Sequence, residues 1–288
     1  FFSLFYGFYQ SHLFTRLLNL GKNSLSVSAS PKMVIYSCKF TIMRKTLLLF
    51  ILACIIVTGY ATDNVKTNIP TNYLVSYNLV KSHTKKSIAK LWKKHHIPKI
   101  ILPVKNDVDI YEIIYKAKWI DSSWIQCSGL YYAPKGVEKA VPIVMYGHGT
   151  QIQKQRPISD EDPQQGICLG FATDGYAAAY PDYYGIAKGE KEHLYQHAWS
   201  EAMSFIYMLY AIDELDKKIG LKTNGQLFLT GYSQGGHASF AAQKYIEALQ
   251  DPRFKVTASS PMSGAYDMTG EQEKYMFQKY PKPFYLPY

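Results

Sequence analysis

The stretch QLFLTGYSQGGHASFAAQKY places one serine, Ser233, between an apolar strand-like run and a helical pattern, with Gly231 and Gly235 two residues away on either side. A chain that leaves a strand and enters a helix with no loop between them forces the junction residue into a strained conformation, and small neighbours are needed to avoid clashes. The hydroxyl is then lifted above the sheet edge at a helix N-terminus, whose free amides and dipole favour developing negative charge. The chemistry this suits is nucleophilic attack on an acyl carbon, with the backbone amide of Gln234 as one donor to the resulting oxyanion.

Two more polar clusters follow strand-like runs: His148-Gly149-Thr150 after VPIVMYG, and Asp182-Tyr183-Tyr184-Gly185 after AAAYP. The Gly149-Thr150 turn is the expected source of the second oxyanion donor. His148 reads as an organiser of that turn rather than a general base, and His237 as packed or solvent-facing rather than catalytic. His148, Asp182, Tyr183 and Tyr232 are expected around the substrate, although for Asp182 a loop-ordering hydrogen bond is an equal alternative.

The elements that would position these residues can be read from periodicity. DIYEIIYKAKWI and IQCSGLYYAPKG alternate apolar and polar residues and suggest an antiparallel strand pair. VPIVMYGHGT is continuous, as in a strand buried on both faces. A polar loop, QIQKQRPISDEDPQQG, leads to a helix over ICLGFATDGY and then to the strand AAAYPDYYG. Leu194, Ala198, Ala202, Phe205, Ile206, Leu209, Ile212 and Leu215 recur at helical spacing, with Gly220 as the stop. QLFLT and KVTASSP are the next strands. This alternation predicts a mostly parallel, doubly wound α/β sheet, in which ligands bind beyond the carboxyl ends of the strands.

The net charge of +10 would point to nucleic acid if it lay on the folded domain. It does not: residues 1–100 hold 14 of the 32 Lys and Arg but 1 of the 22 Asp and Glu, and residues 101–288 carry a net −3. Nucleic acid is therefore not an expected partner. Part of the excess belongs to a secretory-signal pattern over residues 43–61: Met43, basic Arg44 and Lys45, apolar Leu47 to Val57, then Gly59-Tyr60-Ala61 with cleavage after Ala61. The apolar run is shorter than the ~20 residues of a spanning helix, so no stable membrane span is expected after cleavage. Lipoprotein anchoring at Cys54 is the minor alternative, and residues 1–42 read as an upstream extension. Residues 62–100 form a basic segment with a short helix around Ile88, Leu91 and Trp92, packed on the domain edge and ended by Pro98. Beyond the leader only Cys127 and Cys168 remain, either as one disulfide or as two buried thiols. They offer no metal spacing, and no cofactor is expected.

Taken together, YGHGT, YPDYYG, GYSQGGHA and SSPMSGAYD resemble the α/β-hydrolase superfamily, specifically its secreted bacterial lipases and esterases, over residues 100–288. The resemblance implies hydrolysis of small-molecule or lipid carboxylic esters by a Ser-His-Asp triad without metal or organic cofactor. Ser233 matches the nucleophile, Gln234 and the Gly149-Thr150 turn the oxyanion positions, and Asp182 a common acidic position after the preceding strand.

The acid and histidine of the triad do not transfer. In this fold they follow the serine in the order acid then histidine. After His237 the sequence holds no histidine, and Asp267 is the fallback acid, with a loop-ordering role as its alternative. The expectation is therefore a hydrolase domain over 101–288 whose last strands and triad histidine lie outside this sequence. Competing readings are a serine peptidase of the same fold and a non-catalytic hydrolase-like binding protein.

Overall fold

The computed structural model describes residues 72–98 and 100–277. The signal pattern over 43–61, Cys54 and the extension over 1–42 lie outside them. Among the described residues no helix is long and apolar enough to cross a membrane.

Seven strands form one sheet: β1 (Leu74–His83), β2 (Asp107–Lys118), β3 (Trp124–Lys135), β4 (Val141–Gly147), β5 (Ala177–Pro181), β6 (Thr223–Tyr232) and β7 (Val256–Met262). Their spatial order is β1-β2-β3-β5-β4-β6-β7. β2 and β3 are antiparallel, as their alternation predicts, and β3 also runs antiparallel to β5. β5, β4, β6 and β7 run parallel to one another. The helices are α1 (Lys85–Lys94), α2 (Pro163–Asp174), α3 (Ala198–Ile219) and α4 (Gln234–Leu249), followed by a π-helical turn over Met268–Gln272 and a short α5 (Glu273–Phe277).

Both faces of the sheet are covered. Ile88 and Trp92 of α1 and Cys168, Leu169 and Ala172 of α2 pack with Val108, Ile110, Leu130, Tyr132 and Tyr180. On the other face Phe205, Leu209 and Ile212 of α3 and Ala238 and Ala242 of α4 pack with Ile113, Tyr115, Tyr131 and Met145. Successive residues of a strand point to opposite faces, so Leu130 and Tyr132 join one core while Tyr131 joins the other. The same geometry settles the cysteines. Cys127 lies in one core and Cys168 in the other, both as free thiols whose ionisation burial opposes.

Three boundaries depart from the sequence reading. β1 is an additional edge strand, antiparallel to β2; Val75, Tyr77 and Leu79 alternate there with Ser76 and Asn78, a strand pattern the sequence reading passed over. α2 begins at Pro163, inside the stretch read as loop, because Asp162 caps it through the amides of Gln164 and Gln165 and proline suits the first helical turn. α3 begins at Ala198, so Leu194 packs against the core from the preceding loop, and Gly220 ends the helix in the left-handed region at φ 75°. α1 buries Ile88 and Trp92, and the Trp92 indole donates to the Leu102 carbonyl at 3.1 Å.

On α3, Asp216 is buried and accepts a hydrogen bond from the Tyr131 hydroxyl at 2.8 Å. Burial raises its carboxyl pKa to about 7, against an ordinary value of 3.8. Between those values the folded chain holds a proton that the unfolded chain has released. Stability from this group therefore declines as pH rises through that window, by up to about 1.4 kcal/mol per pH unit, and levels off above about pH 7. Asp216→Asn keeps an acceptor for Tyr131 and removes the titration. Thermal unfolding should give a higher Tm for D216N than for the wild type at pH 8, and a difference that shrinks towards zero near pH 4.

Candidate active site

Ser233 occupies the joint between β6 and α4 with φ 58° and ψ −120°, in positive-φ space that serine rarely enters. Its amide donates to the Met262 carbonyl at 3.0 Å and its carbonyl accepts the His237 amide at 3.2 Å, so neighbouring elements hold both sides of the strained residue. α4 has no side-chain cap, and among the described residues no acceptor sits on the Gln234 amide. A helix N-terminus left open in this way presents its first-turn amides to an anion.

Glycine is required at this joint by close approach of backbones. A Cβ added at Gly147 would lie 2.7 Å from the Gly235 carbonyl oxygen and 2.9 Å from its Cα. A Cβ at Gly235 would drive into the Gly147 carbonyl, and one at Gly231 into the carbonyls of both. The pairing of Gly147 with Gly231 across parallel β4 and β6 brings the His148-Thr150 turn beside Ser233.

Within that turn the two expected oxyanion amides differ. The Gly149 amide donates to Gln164 Oε1 at 2.5 Å, whereas the Thr150 amide has no acceptor among the described residues and its hydroxyl meets the Tyr195 hydroxyl at 2.9 Å. His148 is buried, its ring tilted against Tyr183 with centroids 4.2 Å apart and stacked on Tyr180 at 5.0 Å. Its Nδ1 donates to the Gly149 carbonyl at 2.8 Å, and its buried Nε2 has no partner among the described residues. Burial holds its pKa below the usual histidine value, consistent with a neutral ring that shapes the turn.

The remaining expected residues divide by burial. Tyr232 is 56% exposed beside Ser233, on the rim where a substrate would approach. Tyr183 lies underneath: its hydroxyl donates to the His148 carbonyl at 2.8 Å, and its ring stacks on His193 at 5.7 Å. Asp182 corrects the pocket expectation. It is buried, accepting from Arg156 Nε, from Arg156 Nη2 at 3.0 Å and from Ser128 Oγ at 2.7 Å. This is the loop-ordering alternative, and it leaves the carboxylate no exposed surface for a ligand. Asp267 is exposed and caps the π-helical turn through the amides of Gly270 at 2.9 Å and Glu271 at 3.2 Å.

Sequence reasoning missed Glu201, His193 and Gln164. Glu201 carried a usable signal: it stands on the apolar side of α3 among Ala198, Ala202 and Phe205, where a charge demands a partner. Its partners are His237 Nδ1 at 2.6 Å, Gln234 Nε2 at 2.7 Å and the Gln196 amide at 2.9 Å. Neither His193 nor Gln164 carried such a mark.

Solved structures superpose on this fold. A Legionella pneumophila protein provisionally classed as a hydrolase superposes with TM-score 0.61 at 30% identity over 68% of this chain and 53% of its own. The rice cell wall degrading esterase LipA of Xanthomonas oryzae superposes with TM-score 0.60 at 26% identity, over 69% of this chain and 52% of its own. The chain has the α/β-hydrolase fold. It spans about half the length of those two structures. No family model and no curated protein sequence matches it.

In this α/β-hydrolase fold the elbow tolerates little added volume. Gly235→Ala should lower stability by about 3 kcal/mol, the upper end of what overpacking costs, because the obstacle is backbone rather than a side chain that can rotate. Urea titration checks this, and a loss below about 1 kcal/mol would show that the two backbones can move apart.

Proposed function

We propose that the chain supplies the nucleophile and oxyanion side of an exported serine hydrolase acting on carboxylic esters. The observation that carries this is Ser233 held at φ 58° on an uncapped helix N-terminus, between the carboxyl ends of two parallel strands. The solved structure named as an esterase, 26% identical over 69% of the chain, supports an ester rather than an amide substrate. Residues 43–61 support export.

In this reading Ser233 Oγ attacks the ester carbonyl carbon as a base takes its proton, and the carbonyl π electrons move onto oxygen. That oxyanion is met by the open Gln234 amide and by the amide of Thr150. Gly149 could assist only by releasing Gln164. Each donor is worth about 3–4 kcal/mol at the transition state, because it is already in place when charge develops. Collapse of the intermediate expels the alcohol, which leaves with the proton, and water then cleaves the acyl-serine by the same steps. No hydrogen bond reaches Ser233 Oγ among the described residues. The base this reading requires is a histidine that follows the serine in the fold's order.

A fluorophosphonate probe tests the proposal directly, since it reacts with an activated serine held beside an oxyanion site. In a protein that includes the histidine this reading requires, the wild type should be labelled at Ser233 and Ser233→Ala should not. p-Nitrophenyl acetate should be turned over in preference to an aminoacyl p-nitroanilide; preference for the anilide would favour a peptidase. Absence of both labelling and turnover would favour the binding-protein reading.

A further inference from the structure

Glu201 is almost completely buried, and among the described residues no lysine or arginine pairs with it. A carboxylate in such a place is costly unless donors surround it. Its three donors come from two pieces of chain: the Gln196 amide ahead of α3 and, on α4, the side chain of its first residue Gln234 and the His237 ring one turn further on. Glu201 is therefore a fixed point on α3 to which the first turn of α4 is tied.

Donor and acceptor roles fix the rest. Gln234 Nε2 has two protons, one for Glu201 Oε1 at 2.7 Å and one for His193 Nε2 at 2.9 Å. His193 can accept because its other nitrogen donates to the Tyr184 carbonyl at 3.1 Å. Reversing the amide of Gln234 would set its oxygen against the carboxylate. Instead that oxygen is buried without a partner among the described residues, a cost of about 1–3 kcal/mol borne to keep the nitrogen in place. The one residue whose side chain is so constrained is the one whose backbone amide lies next to the strained serine.

We propose that Glu201 is a positioning residue for the oxyanion donor: through the Gln234 side chain and the His237 ring it fixes the first turn of α4, and with it the direction of the Gln234 N–H. This rests on the acyl-transfer reading of Ser233. Because the oxyanion forms only in the transition state, loss of this alignment should lower kcat and leave KM nearly unchanged.

Three variants of the protein that includes the histidine required by the acyl-transfer reading test it. Glu201→Ala removes all three acceptor contacts. Glu201→Gln keeps an oxygen for Gln196 and Gln234 and turns its NH2 towards His237, whose ring can accept by carrying its proton on Nε2. His193→Phe keeps a ring against Tyr183 but removes the acceptor, and serves if E201A fails to fold. The rate of fluorophosphonate labelling and kcat for p-nitrophenyl acetate should fall about tenfold or more in E201A, a few-fold in H193F, and less than about threefold in E201Q, with KM within about twofold throughout. Hydrogen exchange read by mass spectrometry should accelerate in the peptide 231–240 of E201A and H193F while peptides from β2 and β3 stay protected. Unchanged exchange in that peptide with an unchanged labelling rate overturns the proposal, as does a slower labelling rate with raised KM and uniformly faster exchange. Failure of the wild type to label counts against the acyl-transfer reading; the exchange comparison still decides whether Glu201 holds the elbow.

Discussion

The contact on which the rest depends is the near-touching of three backbones at Gly147, Gly231 and Gly235, where the ends of β4 and β6 meet the first turn of α4. A methyl group at any of the three would push the helix away from the sheet. Held this close, α4 starts directly above the strand ends, its unsatisfied amides face outwards, and Ser233 has no relaxed conformation available. The strain at one residue is kept by many ordinary interactions elsewhere, chiefly the apolar packing of α3 and α4 on the sheet.

Around that joint the polar groups divide into two sets. One is structural and closed: Asp182 with Arg156 and Ser128, and Tyr183 with the His148 carbonyl. These buried groups have partners because a low-dielectric interior penalises any that do not. The other set is left open towards the site: the Gln234 and Thr150 amides and the half-buried Ser233 hydroxyl. Glu201 belongs to the first set by its burial and acts on the second through Gln234 and His237.

Much of the fold was legible because it depends on local periodicity. β2 and β3 showed alternation, β4 and β5 continuous apolar runs, and the body of α3 a 3.6-residue stripe. β1 was legible in the alternation of Val75, Tyr77 and Leu79 with Ser76 and Asn78 and was overlooked, whereas the start of α2 was hidden in a polar stretch where the cap at Asp162 decides it. Within the candidate site, Ser233 and the open amide of Gln234 could be found from spacing alone, because chain connectivity imposes both.

What the sequence determined by itself was therefore the elbow, the order of strands and helices and the polar clusters at the strand ends, all consequences of residues close together along the chain. Which of those clusters stays open was decided only in three dimensions. Gly149 gives its amide to a glutamine from α2, Asp182 is neutralised by an arginine from the preceding loop, and Gln234 is held by a glutamate from α3. Hydrogen-bond partners separated by 15 to 33 residues leave no periodic trace, so their pairing becomes visible only once the layers have packed.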